Sequence, residues 1–251
     1  MSTVFLKRFL DNVGRSIHSL NTVCVGLNGV SSGFATKPED MDITWKPGDV
    51  ATSSAQARIF VIKSTYVFLS TNFEAYLKNI YSLFVSNVED YSSKKLVEKI
   101  EYIYKKADLD EKNYRLILLK MIIHMRNRIV HLSSKSKLSS SEKEKLLEEK
   151  DDIYSNHCHF DIQQMLENFS SSKYTLKDVS TMAANAIYVA RKIDEKVCLL
   201  LDTKEKIENF INSSDLKDEW EKIKNHGRRG RKIEYFLKIN FPFFVNSAEF
   251  V

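Results

Sequence analysis

The sequence predicts an all-α fold. Three observations carry that expectation. Only 7 glycines and 3 prolines interrupt 251 residues, too few breakers for a many-turned β fold. The run SSAQARIFVIKSTYVFLSTNFEAYLKNIYSLFVSN, which starts at Ser53, contains neither Gly nor Pro. Within it Tyr66, Leu69, Phe73, Leu77, Ile80 and Phe84 recur at helical spacing and form one apolar stripe.

Each element follows in order. At the N-terminus Phe5, Leu6, Phe9, Leu10, Val13 and Ile17 recur as on an amphipathic helix. Lys7, Arg8 and Asp11 interrupt its apolar run, which makes it a poor secretory signal and a good helix for docking on the body. Residues 23–52 hold Gly26, Gly29, Gly33, Pro38, Pro47 and Gly48, most of the breakers in the chain. They predict an irregular arm with room for short strands. After the long run from Ser53, helices are expected over about 93–106 and about 110–132. The segment SSKSKLSSSEKEK then breaks the apolar pattern and reads as a loop leading to a short charged helix. A further long helix is expected from about Thr175 to Leu201, with Val179, Met182, Ala186, Val189, Ile193 and Val197 on one stripe. The last fifty residues are more polar and include the basic run GRRGRK, Gly227 to Lys232. The expected division is an N-terminal helix and arm over 1–52, a bundle over 53–201, and a helical, basic extension over 202–251.

Composition narrows the function classes. Apolar residues make up 43% and charged residues 28%, enough to build a packed core. A net charge of +5 leans towards anionic partners without the excess of a nucleic-acid coat. Cys24, Cys158 and Cys198 are odd in number and far apart, which argues against a disulfide framework and for a reducing, cytoplasmic setting. The most apolar stretch, Leu116 to Ile123, is too short to span a bilayer, and no membrane partner is expected. No P-loop or Rossmann fingerprint is present, so no cofactor is implied. His157-Cys158-His159 lacks the paired spacing of a structural zinc site, and no metal is expected.

The chemistry-bearing segment is KMIIHMRNRIVHLSS on the third bundle helix. At about 100° per residue, His124, Asn127, Arg128 and His131 share one face. Arg126 instead falls among Leu119, Ile122, Ile129 and Val130. An unpaired charge buried in an apolar stripe costs several kcal/mol, so Arg126 needs a carboxylate, a phosphate or a protein cleft. Glu74 is the candidate carboxylate. Arg126 and His131 point about 140° apart on an ideal helix. A common site therefore needs a helix that ends near His131, or a second chain. His124 and Arg128 read either as solvated face residues or as phosphate contacts. Arg228, Arg229, Arg231 and Lys232 read either as a solvated turn or as contacts to an RNA backbone.

Arg126, Asn127 and His131 spell R-N-x-x-x-H, and on this motif the chain resembles the HEPN superfamily. The upstream segment STNFEAYLKNIY, which carries Glu74, resembles an earlier helix of that family and is closest to its RiboL-PSP-like branch. DVSTMAANAIYVARKIDEKV resembles the helix that closes the bundle. The resemblance spans about residues 53–201. It implies a HEPN-type bundle, homodimerisation with facing motifs, and metal-independent RNA cleavage to a 2′,3′-cyclic phosphate and a 5′-hydroxyl. It assigns His131 as general base, Arg126 as stabiliser of the phosphate charge, and Asn127 as the residue that orients His131 or the substrate. It also implies a toxin or antiviral defence effector, with a cognate antitoxin or regulatory protein as a possible partner. Two other classes stand beside this reading: a non-catalytic helical interaction or RNA-binding module, and an adaptor for a nucleotide-handling partner.

Overall fold

The computed structural model describes residues 2–84, 94–131, 133–226, 229–244 and 250. Every regular element among them is helical. In chain order these are α1 (Val4–Ser31), α2 (Val50–Ile80), a short 3₁₀ turn (Tyr81–Leu83), α3 (Leu96–Lys106) and α4 (Tyr114–Val130). Then come α5 (Ser140–Glu148), α6 (Lys150–Asn156), α7 (Ile162–Ser170), α8 (Leu176–Leu200), α9 (Lys204–Ser213), α10 (Lys217–Lys224) and α11 (Arg229–Asn240).

The expected arm begins later than its glycines suggest. Helix α1 continues through Gly26 and Gly29 to Ser31. A single Gly costs a helix only about 1 kcal/mol relative to Ala, which neighbouring turns absorb. The helix stops where the backbone turns left-handed, at Gly33 with φ 78°. There Gly33 N–H donates to the Val30 carbonyl at 3.1 Å and Phe34 N–H to that of Gly29 at 2.9 Å, the two bonds of a Schellman cap. The irregular arm therefore covers 32–49, and no strand forms among the described residues. Helix α2 starts at Val50 because Asp49 accepts from Thr52 N–H at 2.8 Å. Helix α4 starts at Tyr114, later than expected, because Asp110 and Asn113 spend their side chains on a turn and accept from Lys112 and Arg115 N–H. The Ser-rich loop ends in a capping box: Ser139 Oγ accepts from Glu142 N–H, and Glu142 Oε2 accepts from Ser139 N–H.

The chain forms two compact units. The first comprises Met1–Asn12, Thr71–Lys120 and Ala184–Val251. Its core is aromatic: Phe5 meets Phe210 edge-on at 5.5 Å, Phe9 meets Phe73 at 5.6 Å, and Trp220 lies 5.2 Å from Phe236. One carboxylate is buried in it. Asp194 accepts from Thr3 N–H at 2.8 Å, Thr3 Oγ1 at 2.5 Å and Tyr76 OH at 3.3 Å, which ties the start of α1 to α8. Burial pushes the Asp194 carboxyl above the ordinary carboxylate range, although these donors pull it down.

The second unit comprises Val13–Ser70 and Met121–Ala183. Its core includes Ile122, Met125, Leu138, Leu146, Ile153, Met165, Phe169 and Met182, all buried. Here Asp178 closes the N-terminus of α8: it accepts from Thr175 N–H and from Asn168 Nδ2, both at 3.1 Å. All of the R-N-x-x-x-H motif lies in this second unit.

Candidate active site

Helix α4 is buried almost all round over Leu116–Ile123, as expected of a central helix. Its apolar cover thins towards the C-terminal end. Along the Arg126 stripe, Leu119 and Ile122 are buried, Ile129 is half-buried and Val130 is 45% exposed. Arg126 sits at this transition and is half-buried. It therefore escapes the full cost of a buried charge that its sequence neighbours implied.

Asn127 joins the motif. Its Oδ1 accepts from Arg126 Nη1 at 3.0 Å. Its backbone carbonyl accepts from His131 N–H at 2.9 Å, the last helical bond of α4. The side chain of Asn127 thus meets Arg126, while His131 is bonded to Asn127 through the main chain. The helix ends at Val130, and His131 is exposed. Its carbonyl accepts from Ser134 N–H at 2.8 Å, which turns the chain away from the helix axis. The helix thus ends directly before His131.

Glu74 lies half-buried on α2 and belongs to the first unit, whereas Arg126 belongs to the second.

His124 and Arg128 are half-buried, and both bond to the loop after the motif. His124 Nδ1 shares a 2.6 Å hydrogen bond with Ser136 Oγ. Arg128 Nε donates to the Ser136 carbonyl at 2.7 Å, and its Nη1 donates to the Phe169 carbonyl. Both residues hold the loop after the motif against the helix. A face without apolar residues need not lie open to water when a polar loop folds over part of it. Ser136, which bonds to both, carries no sequence signal that separates it from the other serines of its loop.

In the basic run, Gly227 and Arg228 lie outside the described residues. Arg229, Arg231 and Lys232 form the first turn of α11, not an open turn, and all three are exposed. At His157-Cys158-His159, His157 is buried, and Cys158 and His159 take left-handed φ of 51° and 60°. No group of three metal-binding side chains occurs among the described residues. No helix among them is long and apolar enough to cross a membrane. Comparison with protein-family models, with curated proteins and with solved structures finds no match to this chain.

Proposed function

We propose that this chain is a metal-independent endoribonuclease of the HEPN type. The observation that carries the reading is the arrangement at the end of α4, where Asn127 orients Arg126 while the helix stops and leaves His131 exposed. His131 takes the proton of a ribose 2′-hydroxyl, the general-base task that histidine most often performs. The 2′-oxygen attacks the adjacent phosphorus, and the bond to the 5′-oxygen breaks. The products are a 2′,3′-cyclic phosphate and a 5′-oxygen that takes up a proton. Arg126 faces the charge that builds on the phosphoryl oxygens, and its planar fork suits two of them at once. Two copies that face each other through this end of α4 would complete the site and cover Ile129 and Val130. Such an activity fits a toxin or defence effector, held in check by a protein partner.

The test is incubation of wild type and His131→Ala with RNA, in buffer and in EDTA, followed by analysis of the termini. The reading expects cyclic-phosphate ends from wild type in both buffers and about a 10²–10⁴-fold slower reaction in the variant. Equal cleavage by the variant removes His131 as the base, and loss of activity in chelator contradicts the mechanism. Binding of RNA without cleavage would support the interaction-module reading instead.

A further inference from the structure

A second feature lies in the first unit, away from the R-N-x-x-x-H motif in sequence and unit. A groove of about 550 Å³ runs between α1, α10 and α11, within the size range of ligand clefts. One wall is α11, which presents Arg231, Lys232, Tyr235 and Ile239 to it. These positions are one helical turn apart, so cation, aromatic and aliphatic side chains follow one another along a single face. Tyr235 is 68% exposed and Ile239 is 48% exposed, large apolar surfaces left open on a helix whose other face is packed. Arg8 of α1 adds a third cation, held by Asp215 at 2.9 Å. The carboxylate lining the groove is Glu219.

We infer that this groove binds a single-stranded segment of RNA, with a base stacked on Tyr235 and the backbone phosphates on Arg231 and Lys232. The inference rests on the reading of RNA as the substrate and places a binding subsite for it outside the reacting centre. Three features favour this ligand. An exposed tyrosine stacks any base, because every base has a π-face. Cations one turn away match the charge of a backbone that runs past the stacked base. Arg231 and Lys232 are exposed at the start of their helix, free to reach a phosphate. A duplex keeps its bases stacked on one another and offers none to Tyr235, so the strand must be single. An acidic peptide shares the charge but gains nothing from an aromatic platform.

The experiment measures binding of a fluorescein-labelled single-stranded RNA ten-mer by anisotropy, with His131→Ala as the non-cutting background. Arg231→Glu/Lys232→Glu should weaken binding at least tenfold and flatten the salt dependence, since each lost phosphate contact removes about 0.7 from the slope. Tyr235→Ala should weaken binding about tenfold, and Tyr235→Phe, which keeps the ring, should restore it. Thermal melts of each variant confirm that these exposed substitutions leave the fold intact. Binding at the His131→Ala level by all of these variants overturns the inference, and so does a chain that binds no ten-mer at all. Displacement of the RNA by equimolar poly-glutamate, with Tyr235→Ala neutral, overturns it in favour of an acidic protein ligand. The two readings fail separately: cleavage by wild type with unaltered groove variants sinks the groove alone. Cleavage by His131→Ala with weakened groove variants sinks the catalytic assignment alone.

Discussion

Arg128 grips Phe169 twice: its guanidinium donates to the Phe169 carbonyl and lies 4.2 Å from the centroid of the same residue's ring. With its further bond to Ser136, this side chain ties α4, the loop after the motif and the end of α7 together within the second unit. Arg128→Ala should therefore lower stability by about 2–3 kcal/mol, from the loss of charged hydrogen bonds and a cation–π contact. Urea unfolding gives the value. A midpoint equal to wild type would return Arg128 to the pool of residues open to substrate.

Asn127 is expected to act through Arg126. Asn127→Ala removes the acceptor at 3.0 Å and should slow cleavage about tenfold, the worth of one well-placed hydrogen bond. Asn127→Asp keeps an acceptor for the guanidinium and should recover most of the rate. If Asp fares no better than Ala, the role of Asn127 lies elsewhere.

Shared sites predict complementation. Arg126→Ala and His131→Ala are each expected to be inactive, yet a mixture should regain some cleavage if one copy's arginine serves the other's histidine. Light scattering of wild type should report about twice the chain mass. A monomer that cuts RNA would show instead that the helix end alone brings both residues to one phosphate.

Asp194 predicts a pH dependence. Burial raises its carboxyl above 3.8, the ordinary value. A raised carboxyl favours the protonated folded form, so its contribution is fully present below 3.8 and is lost as pH rises through the folded value. Asp194→Asn is flat in this respect. The stability difference, wild type minus Asp194→Asn, should therefore fall as pH rises from about 3.5 and then level off. Urea midpoints across that range supply the curve; a difference that grows with pH would contradict the burial argument.

The cysteines should label in order. Cys158 is exposed, Cys24 is buried, and burial pushes the half-buried Cys198 thiol up to about 12 beside Asp194. The thiolate is the reactive form. Iodoacetamide under native conditions should modify Cys158 first, as peptide mass spectrometry reads directly. Prior labelling of Cys198 would mean that the Thr3–Asp194–Tyr76 cluster opens in solution.

Much of the fold was legible because helix formation is local. The breaker-poor run from Ser53 and the long helix near Thr175 stand where the spacing puts them, within a few residues, whereas the loop expected over Ser133–Lys145 already gives way to helix at Ser140. The arm's first boundary was not legible, because glycine lowers helix propensity without forbidding the helix, and Gly33 stops α1 where Gly26 and Gly29 do not. Asp194 left a trace that was available: it stands among Ala190, Ile193 and Val197, an acid at the edge of an apolar stripe.

The sequence by itself determined the helical class, the order of its main elements and the R-N-x-x-x-H pattern at the end of one helix. Tertiary structure alone decided which polar side chains are spent on holding the fold and which stay exposed. The reason is range. A helical stripe is written in neighbours three and four residues apart. The partners of polar groups come from anywhere in the chain: Arg128 reaches 41 residues to Phe169, and Thr3 reaches 191 to Asp194. Helix periodicity alone left His124 and Arg128 on one polar face with His131; the fold of the loop through Ser136 separates them, taking two for structure and leaving His131 exposed.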